Sequence, residues 1–236
     1  MHLETITTLT FDVVGTLIDF ETGILEWCRP WLREHGQRVE DEEILAAFAQ
    51  AEDELQQQRP EMPFTAMLPH IHGNMAGRWG VDTDESIALD FRDSIRDWPA
   101  FGDAVAGLRT LGERYRLVAV TNADAWALEQ MSATLGQPFA DQVTCDDVGV
   151  NKPDPAVWQY TLDKLGATRE EILHCAQSPY HDLISACRFG LATAWIERRH
   201  GRNGSGATPA VDATFAVDIH VHSLSELIER LQAPAA

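Results

Sequence analysis

The chain has 236 residues, a hydrophobic fraction of 44%, a charged fraction of 23% and a formal net charge of −19. This length suits one sizeable domain or a core with a smaller insertion, and the composition excludes the polar, low-aromatic profile of a disordered protein. The acidic surface repels phosphate backbones and anionic membranes, so neither a nucleic-acid nor a membrane partner is expected.

Targeting signals and cysteine spacing are the next features that the sequence offers. Residues 1–5 lack a basic patch before a long apolar run, and the chain contains no stretch of about eighteen apolar residues. We therefore expect a cytoplasmic protein. The four cysteines are widely spaced without a C-x-x-C pair, which favours buried reduced thiols over disulfides or a zinc site. They are Cys28, Cys145, Cys175 and Cys187.

The first predicted element is a strand at residues 8–13, and a long helical stretch follows it. Helical patterning occurs at 23–35, 41–58, 64–79 and 84–98, with no convincing strand among them. Proline and glycine punctuate this stretch at Pro60, Pro63, Gly80 and Pro99. The pattern predicts an all-helical cap at 19–98, inserted into a core formed by 1–18 and 99–236.

Beyond residue 99, short apolar runs alternate with amphipathic stretches. Strands are predicted at 116–120, 142–145, 172–175 and 191–196. Helices are predicted at 102–114, 125–135, 154–165 and 181–189. This alternation predicts an α/β fold with a doubly wound parallel sheet. The chain then continues with a Gly-, Arg- and Ser-rich mobile loop at 198–209, a short strand near 213–217 and a final helix at 223–231.

Polar side chains follow four of the predicted strands. The carboxyl ends of strands in an open parallel sheet face one crevice, so we expect these side chains to meet there. Carboxylates, a lysine and hydroxyl or amide groups can together attack an electrophile, neutralise developing charge and activate water. The residues are Asp12 with Thr16, Thr121 with Asn122, Lys152, and Asp182.

The same residues also have purely structural explanations. An aspartate such as Asp12 at a strand end commonly caps a turn, and Asp182 could favour a helix dipole. Thr121 and Asn122 could cap the following helix. Their combination favours catalysis, because an acidic protein needs a cation such as Lys152 beside an attacked anion.

Four segments resemble the ordered motifs of the haloacid dehalogenase superfamily. They are FDVVGTL at 11–17, VTN at 120–122, NKPDP at 151–155 and AQSPYHD at 176–182. These motifs span nearly the entire predicted sheet domain, and the helical insertion between the first two resembles the family's cap. The resemblance implies a Rossmann-like core in which Asp12 is a nucleophile that forms a covalent ester with the substrate.

Two positions depart from the phosphatases of this superfamily. Phosphatases resemble D-x-D-x-T at the first motif, where the second Asp protonates the leaving group, and that position is Val14 here. Loss of such a proton donor typically costs ~10²–10⁴-fold in rate. Gln177 replaces one of two carboxylates that help hold Mg²⁺. A magnesium-dependent phosphatase, in which Asp12 and Asp182 would bind the metal, is therefore the alternative and not the first hypothesis.

The 2-haloacid dehalogenase branch is more similar, because it lacks an acid at the Val14 position, has Ser or Thr before Asn in the second motif, and uses no metal or other cofactor. This resemblance implies that Asp12 displaces halide from a small 2-haloalkanoic acid, that Lys152 lowers the pKa of Asp12, and that Asp182 positions the hydrolytic water. The residues expected to orient Asp12 are Thr16, Thr121 and Asn122.

Substrate contacts are expected at Val14, Gln177, Ser178, Tyr180 and His181. His181 could donate to an anion or act as a base, or it could be a surface histidine at a helix end. Of the cap histidines His70 and His72, one is expected to line the pocket, and their spacing disfavours a metal pair. The dehalogenase branch has a halide-binding arginine early in its cap, but the corresponding residues 44–50 contain no arginine. The nearest cap arginines are Arg59 and Arg78.

Three functions therefore remain open. The first is a metal-independent dehalogenase, the second is a Mg²⁺-dependent phosphatase or phosphonate-cleaving hydrolase, and the third is an impaired binding or regulatory protein with the same fold. The expected partner is a small anionic molecule, and the helical cap could also supply a homodimer face.

Overall fold

A six-stranded sheet lies at the centre of the computed structural model, which describes residues 3–211 and 215–233. Its strands are β1 (Thr8–Phe11), β2 (Arg116–Val120), β3 (Asp141–Val143), β4 (Ile172–Ala176), β5 (Ala192–Ile196) and β6 (Ile219–Val221). The spatial order is β3-β2-β1-β4-β5-β6, and every neighbouring pair is parallel. The chain order changes direction at β1, so the crevice beside its carboxyl end is where a ligand site is expected.

Helices cover both faces of this sheet and make the central strands fully buried. The cap between β1 and β2 contains α1 (Phe20–Glu34), α2 (Asp41–Gln58), α3 (Phe64–Trp79), α4 (Glu85–Asp93) and the 3-10 turn Ser94–Asp97. The core contains α5 (Ala104–Gly112), α6 (Ala125–Thr134), α7 (Cys145–Val148), α8 (Ala156–Leu165), α9 (Ile184–Phe189) and α10 (Leu224–Gln232). Shorter turns are the 3-10 segments Leu3–Thr5 and Arg169–Glu171 and the π-helical turn Pro179–Leu183. The predicted α/β fold with an inserted helical cap is confirmed.

Three of the predicted strands differ from the structure. The first ends at Phe11 and not at 13. The third ends at Val143 and not at 145, because the Thr144 hydroxyl and the Asp147 carboxylate form a capping box that starts α7. The last strand, predicted near 213–217, lies at Ile219–Val221. Residues 213 and 214 fall outside the described residues, and 215–217 form no strand.

The cap has an aromatic core. Trp31, Phe48 and Phe91 are buried, and Trp27 packs against them. A close approach inside the cap depends on Gly23, since a Cβ there would lie 2.2 Å from the ring of Trp98. The missing side chain at Gly23 therefore lets α1 pack directly against Trp98 at the end of the cap segment.

The cap contacts the core through several polar links. Asn151 donates from its side chain to the carbonyls of Pro60 and Met62, at 2.9 and 2.8 Å. In the segment predicted to be a mobile loop, the Arg199 side chain is only 9% exposed and pairs with Glu21 and Glu42 of the cap. The segment therefore carries fixed contacts between cap and core at its start.

Three of the four cysteines are buried, and Cys187 on α9 is exposed, so the prediction of buried thiols is wrong for that residue. All four are free. Within the described residues, no helix is both long and apolar enough to cross a membrane.

Candidate active site

Asp12 lies directly after β1, where its backbone N–H donates to the carbonyl of Cys175 at 3.1 Å. The residue is 5% exposed. The Thr16 hydroxyl donates to Asp12 Oδ2 at 2.7 Å, and Gly15, at a φ of 85°, forms the turn that brings Thr16 back to the carboxylate. The first motif therefore builds a fixed and almost fully buried carboxylate.

Lys152 joins three strand ends through one ammonium group. Its Nζ lies 2.8 Å from Asp12 Oδ1, 2.7 Å from Asp182 Oδ1 and 2.8 Å from the carbonyl oxygen of Val120. An ammonium has three N–H donors, so these contacts use all of them. Lys152 can stabilise charge on the carboxylates, but it has no donor left for a substrate.

Asn122 holds the loop that carries this lysine. Its side-chain oxygen accepts from the backbone N–H of Lys152 at 2.7 Å, and its NH₂ group donates to the Lys152 carbonyl at 3.0 Å. Asn122 was expected to orient Asp12, and both ends of its amide bind the backbone of Lys152, which in turn contacts Asp12. Thr121 lines the cavity, and its hydroxyl accepts from the Ala123 N–H at 3.2 Å.

Asp182 belongs to the π-helical turn and is 1% exposed. Its Oδ1 contacts Lys152 and also His174 Nε2, at 3.0 Å, while His174 Nδ1 lies 2.9 Å from the Thr10 hydroxyl. Its Oδ2 has no hydrogen-bond partner among residues 3–211 and 215–233. His174 was not predicted, although a lone histidine in the apolar strand ILHCA, directly before the fourth motif, was a usable signal.

The electrostatics of these groups follow from burial and from the shared lysine. Burial raises the pKa of Asp12, and this effect outweighs the lowering by Lys152 that the resemblance implies. Burial alone would also raise the pKa of Asp182, but Lys152 and His174 lower it to about 2. Burial opposes the charge on Lys152, yet the two carboxylates raise its pKa. The lysine therefore stays charged between the carboxylates.

A small cavity of about 40 Å³ opens beside Asp12 and Lys152. Of the predicted substrate contacts, Val14, Ser178 and His181 line it. Gln177 and Tyr180 do not. The residues that line it without having been predicted are Phe20, Glu52, Phe64, Ala123 and Thr208.

Gln177 and Tyr180, which do not line the cavity, make other contacts. The Gln177 side chain lies against Gly15, while the Gln177 backbone N–H donates to the Thr16 hydroxyl at 2.8 Å, so this residue supports the first motif from outside the cavity. The Tyr180 hydroxyl turns toward the cap and contacts Asp53 at 3.4 Å.

His181 also points toward the cap. Its Nε2 lies 3.0 Å from the Gln56 side-chain oxygen and its Nδ1 lies 3.2 Å from the Ser178 hydroxyl. Burial lowers the pKa of His181 to about 4, so the ring is neutral at physiological pH. His181 is therefore not a free surface histidine, because its ring contacts the cap. The expectation of a base with an ordinary histidine pKa is also wrong, because burial lowers the pKa of His181.

Neither cap histidine lines the cavity, contrary to expectation. His70 is exposed, and His72 lies in the cap core between Trp27 and Trp31. Burial lowers the pKa of His72 to about 4.

Glu52 is the unexpected charged group of the cavity. It is 6% exposed, and none of the described residues forms a hydrogen bond or an ion pair with it. Burial, with the nearby charges of Asp53 and Asp12, raises the pKa of Glu52 to about 8. The available signal was its place on α2, four residues after Phe48 and eight after Ile44, on the stripe that faces inward.

The cap arginines lie elsewhere. Arg59 is exposed beside Glu61, and Arg78 donates to the exposed Gln50 side chain. Within the described chain, the cavity is therefore lined by a single cationic side chain, Lys152, and that one is already saturated.

The donor set does not suit Mg²⁺, which prefers several carboxylate and water oxygens. The ammonium of Lys152 lies between the two available carboxylates, and Gln177 stands outside the cavity. Of the four oxygens of these two carboxylates, only Asp182 Oδ2 is without a hydrogen-bond partner among the described residues. The residues present therefore do not fit this metal.

Comparisons of sequence and of structure with known proteins point to the same protein family. A profile of haloacid dehalogenase-like hydrolases matches residues 6–175. The chain is 27% identical to (S)-2-haloacid dehalogenase 4A of Burkholderia cepacia over 95% of this chain and 94% of that protein. It is 28% identical to pyrophosphatase PpaX of Bacillus pumilus over 83% and 85% of the two chains. The structure of the L-2-haloacid dehalogenase from Xanthobacter autotrophicus has the same fold, with a TM-score of 0.82 at 20% identity over 98% and 100% of the chains.

Proposed function

The chain belongs to the haloacid dehalogenase-like hydrolase family, and from that premise we propose that it removes halide hydrolytically from a small 2-haloalkanoic acid. One observation carries the proposal: Asp12 is buried and paired with Lys152, while the neighbouring position that would hold a proton donor is Val14. A halide leaves without a proton, so this arrangement suits it.

In the first step, a carboxylate oxygen of Asp12 attacks C2 of the substrate. The C2–halogen bond breaks, its electron pair leaves with the halide, and an aspartyl ester forms. Thr16 and Lys152 hold one carboxylate oxygen each, at 2.7 and 2.8 Å, and so fix the direction of attack.

In the second step, water attacks the Cγ atom of the ester. The free Oδ2 of Asp182 accepts a hydrogen bond from this water, and Lys152 stabilises negative charge that develops on the carbonyl oxygen of the ester. The bond from Cγ to the ester oxygen breaks, that oxygen takes up one of the two water protons as the 2-hydroxyacid departs, and the water oxygen remains in Asp12. Hydrolysis releases one proton and one halide per substrate.

The substrate carboxylate needs a partner that Lys152 cannot supply. Glu52 is neutral at physiological pH because its pKa is about 8, and a neutral carboxylic acid can donate its O–H to a carboxylate. The small volume of the cavity, about 40 Å³, favours small acids.

The test is halide release from chloroacetate, fluoroacetate and 2-chloropropionate by EDTA-treated protein. We expect release without added metal, and its loss in Asp12→Asn, with Asp154→Asn as an exposed control from the third motif. A single turnover in ¹⁸O-water should label the protein and not the product. Absence of release with and without Mg²⁺ would contradict the proposal.

A second candidate is hydrolysis of a phosphate or pyrophosphate bond. Two observations favour it: the likeness to pyrophosphatase PpaX, and the protonated Glu52, which could supply the proton that Val14 cannot. The same protein assayed with pyrophosphate and nucleoside monophosphates, with and without Mg²⁺, separates the two. Inactivity on every substrate would favour the binding or regulatory alternative.

A further inference from the structure

Three imidazole rings surround one carboxylate oxygen at the far edge of the sheet, outside the active-site cavity. Glu197 Oε2 lies 2.9 Å from His220 Nε2, 3.3 Å from His200 Nδ1 and 3.7 Å from His222 Nε2. None of these side chains has a role in the proposed hydrolysis. Their convergence calls for a separate explanation.

The fold produces this convergence from two neighbouring strands. Glu197 directly follows β5, and its backbone N–H donates to the Val221 carbonyl at 2.8 Å, which keeps the end of β5 beside β6. His220 lies in β6 and His222 directly follows that strand, and their ring centroids are 5.4 Å apart. The turn after Glu197 then brings His200 against His222, with ring centroids 3.7 Å apart.

A single carboxylate oxygen cannot serve three imidazoles well. A carboxylate offers about two lone-pair sites per oxygen, so three ring nitrogens around Oε2 exceed its capacity as an acceptor. One atom each from Glu197, His200 and His222 lies within 4.8 Å of the other two. Tetrahedral zinc ligands lie roughly 3.3–3.6 Å apart, from bond lengths of about 2.0–2.2 Å. His200 and His222 are exposed, so small rotations can close this gap.

We propose that Glu197, His200 and His222 bind a divalent transition-metal ion. Imidazole with carboxylate is the ligand chemistry of Zn²⁺ and its neighbours, whereas Mg²⁺ and Ca²⁺ prefer oxygen ligands alone. The net charge of −19 further favours cation binding.

Outer contacts support the same three ligands. Glu226 Oε2 lies 3.5 Å from His222 Nδ1, on the side of the ring away from Glu197, as in carboxylate–histidine–metal arrangements. His220 stacks on Trp195, with ring centroids 4.2 Å apart and planes 11° apart, while it contacts Glu197. His220 and Glu226 are thus positioning residues for the ligands.

The bound ion would stabilise a turn that links cap and core. Arg198 donates to the Thr16 carbonyl at 2.9 Å and pairs with Asp103, and Arg199 pairs with cap glutamates. Both arginines lie between the ligands Glu197 and His200. A ligand that binds only the folded protein raises its stability, so the metal raises Tm.

The test is titration of metal-free protein with ZnCl₂ by calorimetry, with CoCl₂ absorption as a report on coordination and MgCl₂ as the control cation. We expect one Zn²⁺ per chain, a higher Tm and no comparable effect of Mg²⁺. His200→Asn with His222→Asn should abolish the site, while His220→Asn or Glu226→Gln should weaken it ~10–100-fold. His70→Asn, which removes an exposed cap histidine, should leave it unchanged.

The Tm of each variant in EDTA should equal that of the original protein, which shows that folding is intact. Absence of one-to-one binding would overturn the proposal. Zinc binding that survives the double variant, or that disappears after alkylation of Cys187, would overturn it as well.

Discussion

At the scale of single residues, Glu52 carries the most information about the substrate. It faces the charges of Asp12 and Asp53, and no partner within the described chain neutralises it. Burying a carboxyl group without a hydrogen-bond partner destabilises the folded protein. Such a group is expected where its neutral form has a function. Hydrogen-bond donation to an anion is such a use.

Glu52→Gln tests this use through pH. Because the pKa of Glu52 is about 8, we expect kcat/KM of the original protein for haloacids to fall above pH 8, as the ionised group repels the substrate. Glutamine keeps a donor but does not ionise, so this decline should disappear in the variant. An identical alkaline decline in both proteins would contradict the assignment.

The same shift predicts a change in stability. The folded pKa of Glu52 lies above the unfolded value, so its contribution is full below pH 4.5 and is lost as pH rises to about 8. Relative to Glu52→Gln, the original protein should lose up to about 4 kcal/mol between these limits. Urea unfolding at several pH values measures this and requires no substrate.

His174→Leu tests a positioning role. The substitution removes the Nε2 contact with Asp182 and the Nδ1 contact with the Thr10 hydroxyl in a fully buried place. We expect a stability loss of about 1–3 kcal/mol and a lower kcat with little change in KM. A changed KM with unchanged kcat would place His174 in substrate binding instead.

At the scale of elements, Lys152 links the carboxyl ends of three strands through hydrogen bonds and an ion pair. Its ammonium joins the residues after β1 and β4 to the last carbonyl of β2. Lys152→Met leaves two buried carboxylates without their cation, which should cost about 3–5 kcal/mol at pH 7. The loss should shrink on acidification, and Asp12→Asn combined with Lys152→Met should recover part of it. A simple sum of the two single effects would show that the pair is not coupled.

The elements also show what sequence patterns can predict. The structure gives α2 and α3 at the predicted bounds, since Pro63 precedes α3 and Gly80 ends it in the left-handed region. β6 was misplaced because three residues carry too little periodicity to locate a strand. Asp12, Thr16, Lys152 and Asp182 were brought together correctly because strand ends share an edge.

The remaining site residues depend on packing between elements. Gln177 and Tyr180 lie in the fourth motif, yet neither side chain lines the cavity. The Gln177 side chain lies against Gly15, and the Tyr180 hydroxyl contacts Asp53 of the cap. Glu52 and Thr208 reach the cavity from segments far away in the chain. No local pattern encodes how the cap sits on the core.

At the scale of the whole molecule, the charge of −19 opposes an anionic substrate. Salt screens such repulsion, so kcat/KM for chloroacetate should rise between ~10 mM and ~150 mM ionic strength. Fluoroacetate, which carries the same charge, should show the same rise. A fall for chloroacetate would indicate a local positive field at the cavity mouth.

The four cysteines allow the fraction of unfolded molecules to be measured, because three are buried and one is exposed in the folded protein. Burial raises the pKa of Cys28, Cys145 and Cys175, whereas the Cys187 side chain is exposed. Reaction with an alkylating reagent needs both access and the thiolate. A brief pulse therefore adds one adduct to a folded chain and four to an unfolded one, and intact-mass spectra taken along a urea series read the two populations directly.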